Sequence, residues 1–408
     1  MPDAVLALNA GSSSIKFGLF ECPNFGLRDA ALHLVSRGQV EGIGTAPHFL
    51  ARDPAGAVLA ERRWPDGTHE ALLGVLLDWV EGHLGGARLL AVGHRVVHGG
   101  AEYFRPMRVT DALIAALDRL TPLAPLHQPH SLAPMRAIAA MRPGLPQIAC
   151  FDTGFHHAMA PVATRFALPR HYAERGVRRY GFHGLSYEYI ARRLREIAPE
   201  LARGRVIVAH LGNGASLCAM QDGRSVDTTM GMTALDGLVM GTRCGTIDPG
   251  AVLHLQQQAG LDVAAVEETL YKRSGLLGVS GISSDMRALL DSDDPHAREA
   301  VELFVFRIGR EAAALAGTLG GLDGFVFTAG IGEHAAPVRA AVGDRLAWLG
   351  VALDAAANAR AAPVISAPDS RVAVHVIPTD EEAMIAQHSL EVLGEASPAG
   401  HASHGSGA

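Results

Sequence analysis

The hydrophobic pattern of the chain contains one arrangement twice: two apolar strands around a short loop of small polar residues. Residues 4–8 and 15–20 are predicted strands, and the loop between them is Asn9-Ala-Gly-Ser-Ser-Ser14. Within residues 205–220, the apolar run 206–209 is rich in β-branched residues and leads into Leu-Gly-Asn-Gly-Ala-Ser. Helical segments follow each hairpin, so the pattern predicts a weak internal duplication of one α/β unit.

The second loop leaves two interpretations open. Glycines on both sides of Asn213 let the backbone adopt positive φ, and the loop N–H groups, with Ser216, can form an anion-binding concavity. Asn-Gly is also a strong signal of an ordinary hairpin turn, and this stretch alone favours that interpretation. Lys16, which follows the first loop, either reaches a phosphate or is simply an exposed strand residue. Neither loop has the Walker A spacing.

The other elements follow from periodicity and turn residues. Residues 70–84 form the clearest predicted helix, with Leu72, Leu73, Leu76, Leu77 and Val80 on one face. Further helices are predicted over 111–120, from a Ser186 cap to residue 197, and over 383–393. Buried strands are predicted at Arg95 and over 148–151, 324–328 and 374–377. Residues 121–130 are predicted to be a proline-rich loop, and Gly330-Ile-Gly332 a loop between strand and helix.

Composition narrows the class of protein. The 408 residues are 48% hydrophobic and 19% charged, which suits two or three globular domains with large cores. A formal net charge of −7 argues against a nucleic-acid partner, because no basic excess exists to neutralise phosphates. A signal peptide and a membrane-spanning run are both missing from the sequence, so the expected location is the cytoplasm. The four scattered cysteines are predicted to be buried thiols in a reducing compartment.

Two charged residues lie at the ends of apolar strands. Arg95 is flanked by His94 and Val96 and is costly to bury alone, so a bound carboxylate or phosphate, or a structural salt bridge, is its expected partner. Asp152 follows a buried strand, which is a usual place for a catalytic or metal-orienting carboxylate, although it can also cap a helix.

Further candidate anion ligands lie between glycines or at helix starts. His183 lies in Tyr-Gly-Phe-His-Gly, Arg243 lies in Gly-Thr-Arg-Cys-Gly, and residues 283–287 begin a predicted helix. His127 and His130 lie among prolines rather than on a predicted helix face, so their spacing does not favour a metal site.

Eight motifs occur in an order that resembles one family. They are Asn9-Ala-Gly-Ser-Ser-Ser-Ile-Lys16, His94-Arg-Val-Val-His-Gly-Gly100, Phe151-Asp-Thr153, Tyr180-Gly-Phe-His-Gly184, His210-Leu-Gly-Asn-Gly214, Met240-Gly-Thr-Arg243, Ser283-Ser-Asp-Met-Arg287 and Thr328-Ala-Gly-Ile-Gly-Glu333. Together they resemble the acetate kinase family, of the acetate and sugar kinase/Hsp70/actin superfamily. The resemblance covers Val5 to about Leu393 and implies Mg²⁺-dependent, reversible phosphoryl transfer between ATP and acetate, giving acetyl phosphate and ADP.

The resemblance also implies the fold and the partners. It implies an α/β chain of two similar actin-like (ribonuclease H-like) domains with a nucleotide cleft between them. Residues 1–151 with 384–396 would form the N-terminal domain, 152–383 the C-terminal domain, and 397–408 a disordered tail. A homodimer is implied, Mn²⁺ may replace Mg²⁺, and neither nucleic acid nor membrane is expected as a partner.

By this resemblance each site residue receives a role. Asp152, His183 and Arg243 would be catalytic, and Asn9 and Glu381 would hold the metal ion. Acetate would be bound by Arg95, Val97, Leu126 and Phe182. The nucleotide would be bound by Lys16, His210, Leu211, Gly212, Asn213, Gly214, Asp285, Met286, Arg287, Gly330, Ile331, Gly332, Glu333 and His334.

Elementary chemistry agrees with these roles. A carboxylate is ionised at neutral pH and needs no general base to act as a nucleophile, so the enzyme must supply alignment and charge neutralisation. Asp152 is therefore expected to orient Arg95, Arg243 or a water of the metal ion rather than to accept a proton.

Four positions depart from the family pattern. Ala234 replaces a proline at the acyl pocket and can widen it toward propionate, and Thr246, His334 and Asp380 replace an acid and two asparagines. A propionate or butyrate kinase of the same superfamily is therefore an alternative, since one methylene is worth only about 1–3 kcal/mol. An actin- or Hsp70-like nucleotide-gated binding module is the alternative from another class.

Overall fold

The chain divides into two compact units, each built on one β-sheet. The structure, a computed structural model, describes residues 3–11, 13–23, 25, 32–125 and 127–395. Unit 1 takes the described residues up to Phe151 and from Glu381 onward, and unit 2 is Asp152–Asp380. The tail expected at 397–408 and the pocket residue Leu126 lie outside the described residues.

The sheet of unit 1 has eight strands in the order β5-β4-β3-β2-β1-β6-β8-β7. β1 and β2 form an antiparallel hairpin, and β6 lies parallel to β1 on its other side. The strands are β1 (Asp3–Ala10), β2 (Ser14–Cys22), β3 (His33–Glu41), β4 (His48–Arg52), β5 (Val58–Arg63), β6 (Leu89–Val96), β7 (Met107–Arg108) and β8 (Gln147–Phe151).

Amphipathic helices cover this sheet. The predicted first helix is confirmed: its five apolar residues are all buried, and Thr68 caps it by accepting a hydrogen bond from the backbone N–H of Ala71. They pack in one core with residues of β1, β2 and β4, including Phe17 and Phe49. The helices of unit 1 are α1 (His69–His83), α2 (Asp111–Asp118), α3 (Gln128–Met141) and α16 (Glu381–Glu395).

Unit 2 repeats the central plan of unit 1. Its sheet order is β11-β10-β9-β12-β13, and as in β3-β2-β1-β6-β8 two antiparallel pairings are followed by two parallel ones. The predicted duplication of one α/β unit is thus confirmed as a repeat of topology. The strands are β9 (Arg205–Leu211), β10 (Ala215–Gln221), β11 (Arg224–Thr228), β12 (Gly324–Thr328) and β13 (Ala373–Val376).

Twelve helices lie within the described residues of unit 2. They are α4 (Pro161–Thr164), α5 (Arg170–Glu174), α6 (Gly184–Ile197), α7 (Pro199–Arg203), α8 (Pro249–Gln257), α9 (Val263–Lys272), α10 (Gly275–Ser280), α11 (Met286–Leu290), α12 (Pro295–Leu319), α13 (Ala329–His334), α14 (Ala336–Leu346) and α15 (Ala355–Ala359).

Four local predictions were wrong. The proline-rich loop ends early, because α3 begins at Gln128 and its first turn accommodates Pro129, which needs no N–H there. Gly330 and Gly332 lie within α13 rather than in a loop. Ser186 lies inside α6, whose N-terminal flanking residue is His183. The last helix begins at Glu381, two residues before the predicted start.

Two further features bear on the class of protein. Within the part of the chain that is described, every helix is too short or too polar to cross a membrane. All four cysteines are free thiols; Cys22, Cys150 and Cys218 are buried as predicted, whereas Cys244 is only half-buried.

Candidate active site

The candidate site of unit 1 is assembled at the ends of two parallel strands. Leu8 of β1 pairs with His94 of β6, so the next residues, Asn9 and Arg95, are neighbours. An Arg95 Nη1–H donates to Oδ1 of Asn9 at 3.3 Å, and Nδ2 of Asn9 donates to Oε2 of Glu381 at 3.0 Å. The proposed carboxylate-binding arginine and both proposed metal ligands therefore form one connected polar group.

Lys16 lies on the same face of the hairpin as this group. It pairs directly with Asn9 across β1 and β2, and directly opposite residues of an antiparallel pair point to the same face. Its side chain is exposed. Lys16 therefore lies opposite Asn9 in the hairpin, with a side chain that is accessible to an anion.

The two histidines around Arg95 have structural partners. Nε2 of His94 bonds to Oε1 of the buried Gln147 at 2.8 Å. The backbone of His98 is held by Gln128, which accepts from its N–H at 3.3 Å and donates to its carbonyl at 2.9 Å. Sequence reasoning missed Gln128, a fully buried amide that fixes the segment following Arg95. Val97, a predicted pocket residue, is buried in the same segment.

In unit 2, the β9–β10 hairpin confirms the predicted strand–loop–strand. The loop is closed by the Gly212 N–H, which donates to the Gly214 carbonyl at 3.0 Å. The backbone of Gly241 donates to the Asn213 carbonyl at 2.9 Å, and a Cβ on Gly241 would lie 1.9 Å from Oδ1 of Asn213. A Cβ at position 241 would therefore require the Asn213 side chain to shift.

Two stacked histidines lie at the base of this hairpin. The rings of His183 and His210 are stacked with centroids 4.1 Å apart. His183 adopts the left-handed conformation (φ 59°), and its Nδ1 bonds to Oγ of Ser216 at 2.8 Å. The hydroxyl of Thr379 donates to Ser186, whose Oγ lies 2.8 Å from Nδ1 of His210. Ser186 therefore links His210 to Thr379 through its hydroxyl.

A guanidinium and an imidazole meet at the hairpin tip. A Cβ added to Gly214 would lie 2.9 Å from Nη2 of Arg243 and 3.3 Å from Nε2 of His183. A hydrogen bond fixes the Arg243 guanidinium, because its Nη1 donates to the Ala234 carbonyl at 2.6 Å. Two of the three predicted catalytic residues thus converge on the loop predicted to bind phosphate, where backbone N–H groups and positive charge favour an anion.

Asp152, the third predicted catalytic residue, lies directly after β8 and is fully buried. Its backbone carbonyl accepts a hydrogen bond from the Gly184 N–H at 2.9 Å, and a Cβ on Gly184 would lie only 2.1 Å from that oxygen. The backbone of Asp152 is therefore tied to the turn that carries His183. Phe182, the predicted pocket residue of unit 2, is buried in the same turn.

A cavity of about 750 Å³ opens beside the hairpin tip, within the size range of small-molecule sites. Of the residues predicted to bind nucleotide, eight line it: Gly212, Asn213, Asp285, Met286, Arg287, Gly330, Ile331 and His334. Ser284, which lies in the predicted anion-binding segment 283–287, lines it as well, and sequence reasoning missed four further lining residues: Leu290, Asp291, Ala335 and Pro337. The cavity lining does not include His210, Leu211, Gly214, Gly332 and Glu333, which belong to β9, the hairpin and α13.

Asp285 and Arg287 are paired with each other at the cavity. An Nη2–H of Arg287 donates to Oδ2 of Asp285 at 2.7 Å, and the Arg287 N–H donates to Oδ1 at 2.9 Å. This guanidinium lowers the pKa of the Asp285 carboxyl. Both side chains are exposed, so the pair is weak enough for a ligand to rearrange.

The structure shows the surroundings of two residues that depart from the family pattern, Thr246 and His334. The hydroxyl of Thr246 donates to Oδ1 of Asp236 at 2.7 Å and accepts from the Gly237 N–H at 3.1 Å, so it fixes a turn. His334 is exposed at the wall of the cavity.

Two fully buried histidines make the stability of the chain sensitive to acid. Burial lowers the pKa of His94 and of His156 to about 4 from the ordinary 6.5. The folded chain therefore binds fewer protons than the unfolded chain between pH 6.5 and about 4. Their contribution to stability is complete above pH 6.5 and is lost as the pH falls, by about 1.4 kcal/mol per pH unit for each histidine.

Urea unfolding at a series of pH values should reveal this slope. We expect His94→Gln, which keeps a donor for Gln147, to lower the slope by about 1.4 kcal/mol per pH unit. His254→Gln is the control, because His254 is exposed on α8 and should leave the slope unchanged. An unaltered slope in the His94 variant would contradict this account.

Comparison with known proteins places this site in a family. The sequence matches the acetokinase family over residues 4–387. It is 56% identical over 392 residues to the acetate kinase of Rhodopseudomonas palustris (strain ATCC BAA-98 / CGA009), covering 95% of this chain and 98% of that protein. It is 52% identical over 396 residues to the acetate kinase of Nitrobacter hamburgensis, covering 96% of each.

Two solved structures of kinases are also similar to this chain. A propionate kinase from Francisella tularensis is similar with a TM-score of 0.87 and 34% identity, over 95% of this chain and 98% of that one. Porphyromonas gingivalis acetate kinase is similar with a TM-score of 0.83 and 36% identity, over 96% of this chain and 100% of that one.

Proposed function

The chain belongs to the acetokinase family, and on that premise we propose that it transfers the γ-phosphoryl group of ATP to acetate, giving acetyl phosphate and ADP. The observation that carries this proposal is the convergence of Arg243 and His183 on Gly214, at the tip of a hairpin that borders the cavity. Positive charge and loop N–H groups at one point suit a phosphoryl group in transfer.

The reaction is a direct in-line transfer. A carboxylate oxygen of acetate forms a bond to the γ-phosphorus while the bond from that phosphorus to the β,γ-bridging oxygen breaks, and ADP leaves with the electron pair. No proton moves, because carboxyl groups with pKa values of about 4 are ionised at neutral pH. The residues must therefore align two anions and neutralise their charge.

The proposed roles are those that the family resemblance implies, and the contacts within each unit support several of them. We assign binding of the acetate carboxylate to the guanidinium of Arg95, and we assign Val97, Leu126 and Phe182 to recognition of the methyl group. Arg243 and His183 stabilise charge on the phosphoryl group, and Asp152 orients the cationic groups. We assign nucleotide binding to the residues that line the cavity, and binding of its phosphates to His210 and Lys16.

The donor set in unit 1 suits Mg²⁺. Asn9 and Glu381 present an amide oxygen and a carboxylate in one polar group, and Mg²⁺ typically takes one or two protein oxygens and keeps several waters. These two residues would hold the ion, which would neutralise phosphate charge when bound. We further propose reversibility, a homodimer and a cytoplasmic location, as in the family pattern; free cysteines suit a reducing compartment.

The direct test is acetate-dependent formation of ADP with acetyl phosphate trapped by hydroxylamine as the hydroxamate. ADP and hydroxamate should form in equal amounts, and only when acetate is present. ATP turnover that is indifferent to carboxylate would contradict the proposal and favour a nucleotide-gated binding module.

A propionate kinase is the second candidate, favoured by Ala234 beside Arg243 and by the similar fold of a propionate kinase. We expect kcat/KM for propionate to lie within about 10- to 200-fold of that for acetate, since one methylene is worth about 1–3 kcal/mol. Ala234→Pro is the matched variant and should lower kcat/KM for propionate relative to acetate. Measuring both constants for acetate, propionate and butyrate checks this, and strict acetate preference in the natural chain would contradict it.

A further inference from the structure

An arginine that the proposed reaction does not use is buried beneath the nucleotide cavity. Arg339, in α14, is only 1% exposed and is among the largest fully buried side chains. Among the described residues, no aspartate or glutamate forms an ion pair with it, and burial lowers its pKa from the ordinary value. Burying an arginine costs free energy of folding unless its N–H donors form hydrogen bonds. The acceptors of these donors therefore indicate what the residue does.

The guanidinium connects two segments of unit 2. Its Nη1 donates to the carbonyls of Gly332 and Glu333, at 2.9 and 2.8 Å. Its Nε and Nη2 donate to Oδ1 and to the backbone carbonyl of Asn358, both at 2.7 Å. The amide of Asn358 in turn donates to the carbonyl of Ala336 at 3.0 Å. Arg339 and Asn358 together bind three carbonyls at the junction of α13 and α14.

The sequence explains why these carbonyls need a side-chain donor. In a continuous helix the Glu333 carbonyl would accept from residue 337, but Pro337 has no N–H. The proline therefore separates α13 from α14 and leaves C-terminal carbonyls of α13 without their helical donor. The fork of Arg339 supplies that donor, and its positive charge suits the negative end of a helix.

The segment held in this way forms one wall of the cavity. Gly330, Ile331, His334, Ala335 and Pro337 all line it, whereas Arg339 does not. We propose that Arg339 is a positioning residue for the nucleotide: by fixing the carbonyls of α13 it presets the 330–337 wall in the shape that binds ADP and ATP. This inference rests on the proposed use of ATP, and it concerns affinity for nucleotide rather than the acceptor.

The test is ADP binding by isothermal titration calorimetry to the full-length chain. Arg339→Gln should raise the Kd for ADP about tenfold or more, which corresponds to about 1.4 kcal/mol. Arg339→Lys should give a smaller rise, because an ammonium retains the charge but cannot reach both segments with a planar fork. The KM for acetate should change little in either variant, since Arg95 belongs to unit 1. Arg205→Gln is the control, because Arg205 also bonds a backbone carbonyl and lies outside the cavity lining.

The outcomes separate this inference from the proposed function. An Arg339→Gln variant that folds and binds ADP with wild-type Kd overturns the inference. If that variant does not fold, Asn358→Ala removes the acceptor of Nε and should still raise the Kd; an unchanged Kd there overturns the inference. A wild-type chain that binds ADP but makes no acetyl phosphate overturns the proposed function and leaves the inference standing.

Discussion

Replacing Asp152 with asparagine should lower kcat for acetyl phosphate formation by about a hundredfold or more, with little change in overall structure. The substitution keeps the shape of a fully buried side chain but removes its charge, at a residue whose backbone is bonded to the turn carrying His183. Misdirected cationic groups would then stabilise the transferring phosphoryl group less well. Steady-state kcat at saturating ATP and acetate measures the effect.

The pH profile of the same variant separates orientation from proton transfer. Because acetate is already ionised, the kcat profile of Asp152→Asn should keep the shape of the wild-type profile at a lower level. Loss of one titration limb would instead identify Asp152 as a general base. Asp323→Asn is the control: this aspartate pairs with Arg205 away from the site and its replacement should leave kcat nearly unchanged.

Replacing Arg95 with glutamine should lower kcat/KM for acetate by about a hundredfold, mainly through KM, because the carboxylate loses its bidentate partner. The KM for ATP should change far less, since the residues that line the cavity belong to unit 2. Arg95→Lys should recover little, because a lysine presents a point charge in place of a planar fork. Kinetics with each substrate varied in turn provide the measurement.

Arg88→Gln is the matched control for Arg95. It also removes an arginine of unit 1, but Arg88 forms an exposed ion pair with Asp3, and such pairs contribute little. Its kinetic constants should therefore match those of the wild type. A parallel rise in the KM values for acetate and ATP in Arg95→Gln would contradict a role in carboxylate binding.

Periodicity in the sequence predicted the elements that depend on local pattern. The helix over His69–His83 and the β9–β10 hairpin followed from apolar spacing and from a Gly-Asn-Gly turn. In both, the residues that decide the conformation lie within a few positions of each other, so the chain carries the information in one place.

The missed features depend on residues that are distant in sequence. The helical conformation at Gly330 and Gly332 is completed by Arg339 and by Asn358, which no local pattern connects to a Gly-x-Gly motif. Ser186 has the composition of a helix cap, but in the fold it bonds to His210. A serine hydroxyl can bond either to the backbone of its own helix or to a distant side chain. Packing in the folded chain decides between these two bonds, and the spacing of residues in the sequence does not reveal it.

For this protein, the sequence by itself determined the duplicated strand–loop–strand plan, the order of the motifs and, through their resemblance, the family. Only the tertiary structure decided which of those residues meet. It joined Asn9, Arg95 and Glu381 across hundreds of positions, and it brought Arg243 and His183 together at Gly214. The physical reason is that backbone conformation responds to neighbours along the chain, whereas a site is made by strand register and close packing between segments far apart in sequence.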